Sequence, residues 1–251
     1  MDSKAKPFSR RMGPGWLWLL ATLLIGGISL LTSFQPLWAN IPFNVAAPIL
    51  VLIFLKTVFF EKLKLGTLIL MRALIVFAVL GLIPGNVYVR IVLAFLVINI
   101  LEAAITDIKK KKYYNAITGI ALAASVFLVF GDTSSWIDPE SWYGPYYVAE
   151  AVNVAGTLCW IAAYTVWNWL FVTHEFSPSI SCLHIGILLV PLLGMLAFLS
   201  PGLWLIFRAN SLTIGGVLQI SCKPYLEDRL RNERIARSEE HTSELQSPNT
   251  I

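Results

Sequence analysis

Charged side chains are scarce in this 251-residue chain, in which Asp, Glu, Lys and Arg make up 14% of the residues, against roughly 25% in soluble globular domains. Its three cysteines, Cys159, Cys182 and Cys222, lie in or beside apolar segments and predict no framework of disulfide bonds. The sequence has no phosphate-binding glycine loop, dinucleotide fingerprint, zinc-ligand spacing or internal repeat. We therefore expect neither a disulfide-stabilised secreted domain nor a bound metal or organic cofactor.

Apolar residues are abundant instead, at 57% of the chain, with a mean hydropathy of +0.70. They form blocks of about 20 residues, the length at which a helix crosses the hydrocarbon core of a bilayer. Backbone groups in lipid must be hydrogen-bonded within their own segment. The pattern predicts an all-α, polytopic transmembrane helix bundle, a single domain over residues 1–236. Its eight predicted spans lie near residues 15–34, 41–60, 67–84, 87–106, 113–131, 147–172, 183–199 and 202–222.

Two of these predicted spans have alternative interpretations. The first apolar block follows four basic residues, as in a signal peptide, but it is longer than the roughly 7–15 residues of a signal-peptide core. We therefore expect it to remain as an uncleaved helix. The last two spans are separated by Ser200, Pro201 and Gly202, which are also compatible with a kink or a re-entrant turn.

Basic residues are concentrated in alternate connectors. If the N-terminus is inside, the inner segments hold fourteen Lys and Arg residues, and the outer connectors 35–40, 85–86, 132–146 and 200–201 hold none. This asymmetry predicts that both termini are cytoplasmic and that the protein is a multi-pass protein of the inner (cytoplasmic) membrane. Anionic headgroups account for the basic residues, so the expected partners include membrane lipids and exclude nucleic acid.

Two polar segments outside the spans allow more than one interpretation. The long outer connector is rich in tryptophan and tyrosine, which indicates an interfacial aromatic belt or, alternatively, a lid over a ligand path. On the inner side, His174, Glu175 and His184 flank a short connector. Two histidines and one carboxylate at this spacing are too few and too far apart to predict a metal site.

Ionisable residues inside the predicted spans are candidates for function, because an unpaired charge in the membrane is costly. By position in the spans they form two layers, each with acids and bases. Snorkelling to the headgroups is the alternative for Lys56, Arg72 and Arg90, which lie close to predicted span ends. The inner layer contains Lys56, Arg72, Asn99 and Glu102, and the outer layer contains Arg90, Glu150, Asn153, Arg208 and Asn210.

The sixth predicted span carries a stripe of polar and aromatic residues at steps of three and four, which places them on one helix face. The stripe consists of Glu150, Asn153, Thr157, Trp160, Tyr164, Trp167 and Asn168. It predicts a face that lies inside the bundle. This face either lines a solute route or provides interhelical hydrogen bonds, which transmembrane bundles commonly use.

The last fifteen residues, 237–251, differ in character from the rest of the chain. Their sequence, RSEEHTSELQSPNTI, begins abruptly after a charged segment. Reverse-translated, it resembles a widely used sequencing-library adapter. We therefore expect this tail to be an artefact without function, and the natural C-terminus beyond about residue 236 to be missing. A genuine disordered acidic tail is the alternative.

Three segments, INILEAAITD (98–107), AYTVWNWLFV (163–172) and EFSPSISCLHIGILLVPLL (175–193), together with PGLWLIFRANSL (201–212), resemble an uncharacterised family of multi-pass bacterial membrane proteins, domain of unknown function 5692. The similarity covers roughly residues 86–215. It implies membrane location and no particular chemistry.

The sequence thus favours a permease or binding protein for a small polar or amphipathic solute over an enzyme. Its candidate polar cavity is formed by residues of three predicted spans, namely Arg90, Asn99, Glu102, Glu150, Asn153, Trp160, Tyr164, Asn168, Arg208 and Asn210. A membrane-embedded enzyme acting on a lipid, with Glu102 or Glu150 as general acid or base, is the alternative. A non-catalytic membrane scaffold or sensor with a sealed polar core is a further one.

Overall fold

The computed structural model describes residues 14–57, 59–135 and 148–230. Five of the helices in this part of the chain are long and apolar enough to cross a membrane, and they indicate a membrane-embedded helical protein. A π-helical segment, Ile41–Ala46, leads directly into α2. The α-helices are α1 (Pro14–Phe34), α2 (Ala47–Phe54), α3 (Phe59–Val79), α4 (Gly85–Lys109), α5 (Tyr113–Val129), α6 (Val154–Glu175), α7 (Pro178–Ala197), α8 (Leu203–Ser221) and α9 (Lys223–Arg229).

The five long apolar helices are α1, α4, α6, α7 and α8, and each lies within one of the predicted spans or overlaps most of it. Large apolar side chains on these helices face outward, as they do in a protein that has lipid for its solvent. Leu23, Ile98 and Val166, for example, are more than half exposed. The prediction of a helical membrane protein is confirmed at this level.

The second and third predicted spans differ from the structure. Instead of one helix over residues 41–60, the π-helical segment and α2 end at Phe54, and residues 55–57 are not helical. The next helix, α3, begins at Phe59, about two turns before the predicted start at residue 67. The start was mispredicted because the first turns of α3 carry the charged residues Glu61, Lys62 and Lys64, which are typical of a connector. As a consequence, Arg72 lies near the middle of α3.

A β-hairpin replaces the end of the fifth predicted span and the beginning of the sixth. Strand β1 (Phe130–Ser135) pairs with strand β2 (Val148–Ala151) in antiparallel orientation. The fifth helix therefore ends at Val129 and the sixth begins at Val154, where the side chain of Asn153 accepts a hydrogen bond from the Gly156 amide. The aromatic part of the predicted outer connector, residues 136–147, lies outside the described residues.

Helices α7 and α8 form an antiparallel pair, so the Ser200-Pro201-Gly202 connector is a turn between two separate helices. Contacts between the two helices show this orientation, because the residue number rises along α8 as it falls along α7. Gly194 lies against Phe207, and Ser211 donates to the Ile187 carbonyl at 2.9 Å. The connector itself is inserted into the bundle, because Gly202 packs against Val148 and the Ala149 carbonyl of β2. Helix α8 thus begins beside the strand that precedes α6.

The short helix α9 follows α8 after Cys222 and carries Pro224 in its first turn, where proline costs no hydrogen bond. Leu226 and Leu230 are buried in the same apolar cluster as Ile180 and Leu183 of α7. Helix α9 and the residue after it are therefore docked against the bundle through Leu226 and Leu230. The proposed artefactual tail, 237–251, lies outside the described residues.

Candidate functional site

Arg208 of α8 is buried at mid-depth in the bundle. Its Nε donates to the Tyr164 hydroxyl and its Nη2 donates to Asn168 Oδ1, both at 3.3 Å. The guanidinium also lies over the Tyr164 ring, 5.7 Å from the ring centroid, as in a cation–π interaction. Because Tyr164 and Asn168 lie near the middle of α6, these bonds place a permanent positive charge far from either end of that helix.

Aromatic rings pack densely on one side of this arginine. Tyr164 stacks on Trp160 with the ring centroids 5.4 Å apart, and Trp204 approaches Tyr164 edge-on at 5.1 Å. These rings are fully or almost fully buried. They hold the Tyr164 hydroxyl in one position, so Arg208 binds to a rigid partner.

The polar stripe of α6 faces inward and is divided between two neighbouring helices. Thr157, Trp160 and Trp167 donate hydrogen bonds to backbone carbonyls of α5 at 2.8 to 3.2 Å. These three residues provide interhelical hydrogen bonds. Tyr164 and Asn168 instead face Arg208 of α8 and remain candidates for a solute route.

A second buried arginine, Arg72 of α3, lies in a separate polar network. Arg72 is 1% exposed, and its Nη1 donates to Asn210 Oδ1. The Arg72 carbonyl accepts from Asn40 Nδ2 at 3.0 Å. The network therefore ties α3 to α8 and to the turn that precedes the π-helical segment.

Asn210 is the centre of this network and is fully buried. Its amide nitrogen donates to Ser33 Oγ at 2.7 Å and to the Ser29 carbonyl at 3.3 Å. Its amide oxygen also accepts from Asn44 Nδ2 of the π-helical segment at 3.3 Å. One side chain thus connects four elements: α1, the π-helical segment, α3 and α8. We call the set Ser29, Ser33, Asn40, Asn44, Arg72 and Asn210 the Asn210 network.

The two arginines keep buried N–H groups without acceptors. Arg72 Nε and Nη2 and Arg208 Nη1 have no hydrogen-bond partner among the described residues, and neither guanidinium forms an ion pair there. An arginine remains charged in a protein, and an unpaired charge in low dielectric costs several kcal/mol. The core therefore has an excess of positive charge and of donors.

Further ionisable groups lie near Arg208. Lys64 of α3 interacts electrostatically with Arg208 and with Glu102, and His184 of α7 interacts with Lys64 and Arg208. Glu102 is half-buried, and within the described part of the chain its carboxylate forms no hydrogen bond or ion pair. Three basic residues and one acid thus share this part of the bundle.

The other candidate residues lie elsewhere. Asn99 donates to the Phe95 carbonyl of its own helix at 2.9 Å. Glu150 is exposed in β2, and Asn153 caps α6, so the stripe of the sixth helix begins at Thr157 and not at Glu150. Arg90 is exposed and lines a pocket of about 540 Å³ together with Phe127, Phe130 and Gly131. The snorkelling alternative agrees with the exposure of Arg90 and Lys56.

The division of the polar residues into an inner and an outer layer is wrong. Arg72, assigned to the inner layer, bonds to Asn210 of the outer layer. The reason is that α3 begins earlier than predicted, so Arg72 lies near the middle of that helix and level with Asn210. For Arg72 the same shift excludes the snorkelling alternative.

Sequence reasoning also missed several buried polar residues. Asp107 is fully buried near the end of α4, and its Oδ2 accepts from Asn115 Nδ2 at 2.6 Å. Asn40 and Asn44 are four residues apart, a spacing that places two side chains on one helix face. This signal was overlooked because Asn40 was assigned to a predicted connector. His184 is buried and stacks on Phe176 with the ring centroids 5.1 Å apart.

The described residues contain no group of three or more His, Cys, Asp or Glu side chains that could hold a metal ion. No protein-family model, curated protein or solved structure matches the chain. The similarity to domain of unknown function 5692 therefore stays a prediction. The site has to be interpreted from its own chemistry.

Proposed function

We propose that this protein is a membrane-embedded binding protein or permease for a small polar or amphipathic solute, and that the solute binds in the core around Arg208 and Asn210. The observation that carries the proposal is the pair of buried guanidiniums that have no carboxylate partner and keep unused N–H donors. Removing such charges from water is unfavourable. A polar ligand that occupies the unused donors gives a reason for their presence.

The proposal includes the full topology. Beyond the five long apolar helices, the apolar segment 41–54 and α5 are shorter, and α3 carries charged residues in its first turns. We infer that these three complete an eight-span bundle, with both termini cytoplasmic, in the inner membrane of a bacterium. The distribution of basic residues supports this orientation. Membership of domain of unknown function 5692 is part of the same proposal.

The core is closed in the described conformation, since Arg208 and Tyr164 are each 4% exposed. A permease therefore needs a second conformation in which α6 and α8 separate on one side. A sealed core is also what a scaffold or sensor would have, and this closure favours that function as the second candidate. For a lipid enzyme with Glu150 as acid or base, the exposed position of Glu150 in β2 is unfavourable.

Cysteine accessibility separates these functions. Asn168→Cys, made after replacement of Cys159, Cys182 and Cys222, is labelled with a membrane-impermeant maleimide added to one side or the other of reconstituted vesicles. Labelling from each side supports a permease, and labelling from one side supports a binding protein. A thiol that is labelled from neither side contradicts the proposal and supports a scaffold.

The matched control is Val166→Cys on the same helix. Val166 is 60% exposed at the surface of the bundle, so its thiol faces acyl chains. It is expected to stay unlabelled by the aqueous reagent from both sides. If Val166→Cys is labelled like Asn168→Cys, the polar face of α6 does not line the solute site.

A further inference from the structure

One edge of the Arg72 guanidinium makes no hydrogen bond to a described residue. Nη1 donates to Asn210, whereas Nε and Nη2, which form the other edge, have no partner in the part of the chain that the structure describes. The residue is 1% exposed, so bulk solvent does not reach these donors in the described conformation. Two parallel N–H groups along one edge of a guanidinium match the two oxygens of a carboxylate or phosphate group.

Other unsatisfied polar atoms belong to the same network. Asn44 Oδ1 and Ser29 Oγ are buried and have no hydrogen-bond partner among the described residues. Buried polar groups in native proteins are nearly always paired, and a concentration of exceptions in one place requires an explanation. The unsatisfied groups here are two donors of the positively charged Arg72 and one acceptor of Asn44.

Arg208 does not offer the same geometry. Its Nε and Nη2 are taken by Tyr164 and Asn168, so only Nη1 is left. The two N–H groups of Nη1 diverge from one nitrogen, so they do not form the parallel pair that binds both oxygens of one carboxylate or phosphate group. Of the two buried arginines, Arg72 is therefore the one that presents a complete fork.

We propose that the Asn210 network is an oxyanion-binding site, in which Nε and Nη2 of Arg72 bind two oxygens of one carboxylate or phosphate group. Asn44 Oδ1 accepts a hydrogen bond from a hydroxyl or amine next to that group. The inference rests on the proposed function and defines its substrate class: the solute is a small oxyanion that carries a neighbouring hydrogen-bond donor.

The network positions Arg72 without an ion pair inside the protein. Asn210 and Asn40 orient Arg72 through its Nη1 and its backbone carbonyl, and neither neutralises its charge. A carboxylate side chain at this place would compensate the arginine and occupy the fork. Amides position the guanidinium and leave its charge for the ligand.

Thermal unfolding of the purified protein with defined anions tests this site. Sodium phosphate and sodium lactate are compared with sodium chloride at equal ionic strength. A probe at about one hundred times its Kd is expected to raise the Tm by roughly 5 °C. Arg72→Lys keeps the positive charge but loses the planar fork, so the affinity for the probe is expected to fall at least about tenfold.

Two further variants control this result. Lys62→Gln removes a positive charge from the exposed face of the same helix and is expected to keep the full shift. Asn44→Asp places a carboxylate in the network and is expected to abolish the shift while the protein stays folded. Asn44→Asp therefore keeps the test decisive if Arg72→Lys does not fold.

A lipid headgroup is the other source of the same chemistry. The Tm is also measured in nanodiscs of phosphatidylcholine with and without phosphatidylglycerol. A stabilisation by phosphatidylglycerol that disappears in Arg72→Lys supports the oxyanion site with a lipid as its ligand. Equal shifts in the wild type and Arg72→Lys, or no shift with any probe or lipid, overturn the inference. If the Tm test is negative but Asn168→Cys is labelled, the oxyanion site is excluded and the proposed function still holds.

Discussion

Arg72 Nη1 donates a hydrogen bond to Asn210 Oδ1, and this contact joins the middle of α3 to α8 inside the bundle. The two residues are 138 positions apart in the chain. Asn210 also holds α1 through Ser33 and the π-helical segment through Asn44. One amide beside an uncompensated charge thus joins the N-terminal helices to α8.

Asn210→Ala is expected to destabilise the protein by about 3–5 kcal/mol, because it removes the acceptor of a buried guanidinium. The control is Asn99→Ala, since Asn99 bonds only to the Phe95 carbonyl of its own helix. Its loss is expected to cost about 1 kcal/mol. Equilibrium unfolding in mixed micelles measures both. Equal losses for the two variants would show that the network contributes no more than a local hydrogen bond.

Tyr164→Phe and Asn168→Ala are expected to have non-additive effects on stability. Both side chains accept hydrogen bonds from the Arg208 guanidinium, and neighbours in one network typically couple by about 0.5–3 kcal/mol. A double-mutant cycle measures this coupling. Tyr164→Phe combined with Thr173→Ala serves as the comparison, because Thr173 bonds to the carbonyl of Leu170 on its own helix. Additivity in both cycles would contradict a shared interaction with Arg208.

Gly186→Ala is expected to separate α1 from α7. A methyl group at Gly186 would collide with Thr22 of α1, and overpacking of this kind costs about 1–3 kcal/mol. Gly27→Ala is the matched control, because nothing lies near the position of its added methyl group. Alanine there is expected to stabilise the helix by up to about 1 kcal/mol. Similar losses of stability in both variants would contradict the close approach.

The orientation is tested at the two ends of α4. Asn86 and Lys109 lie near opposite ends of this helix, and both are exposed. In a cysteine-free background, Asn86→Cys is expected to react with an impermeant maleimide in intact spheroplasts. Lys109→Cys is expected to react only after the membrane is permeabilised. The reverse pattern would place the lysine-rich connector outside and invert the proposed topology.

The individual helices could largely be predicted from the sequence, whereas the depth of their polar residues could not. The apolar stretch at 87–106 predicted α4 well, because a long and predominantly apolar run has one low-energy state in lipid. For α3, the charged residues at its beginning hid the true start at Phe59. Arg72 was therefore placed near a membrane surface, although it lies at mid-depth.

The stripe of α6 was likewise predictable in part: its buried face could be predicted, but its contacts could not. Its period of three to four residues predicted that Tyr164 and Trp167 lie inside the bundle, and both are buried. The partners of these side chains were not predictable, because periodicity defines a face and not what packs against it. Trp167 contacts the Asn115 carbonyl of α5, whereas Tyr164 contacts Arg208 of α8.

The sequence by itself determined that this chain is a helical membrane protein, since the solvation cost of apolar and backbone groups depends on local composition and length. It also identified Arg208, Asn210 and Asn168 as polar residues within apolar segments. Only the tertiary structure decided that Arg72 meets Asn210 and that Arg208 meets Asn168. Those contacts depend on the relative depth of helices that are distant in sequence, and relative depth is set by packing between them.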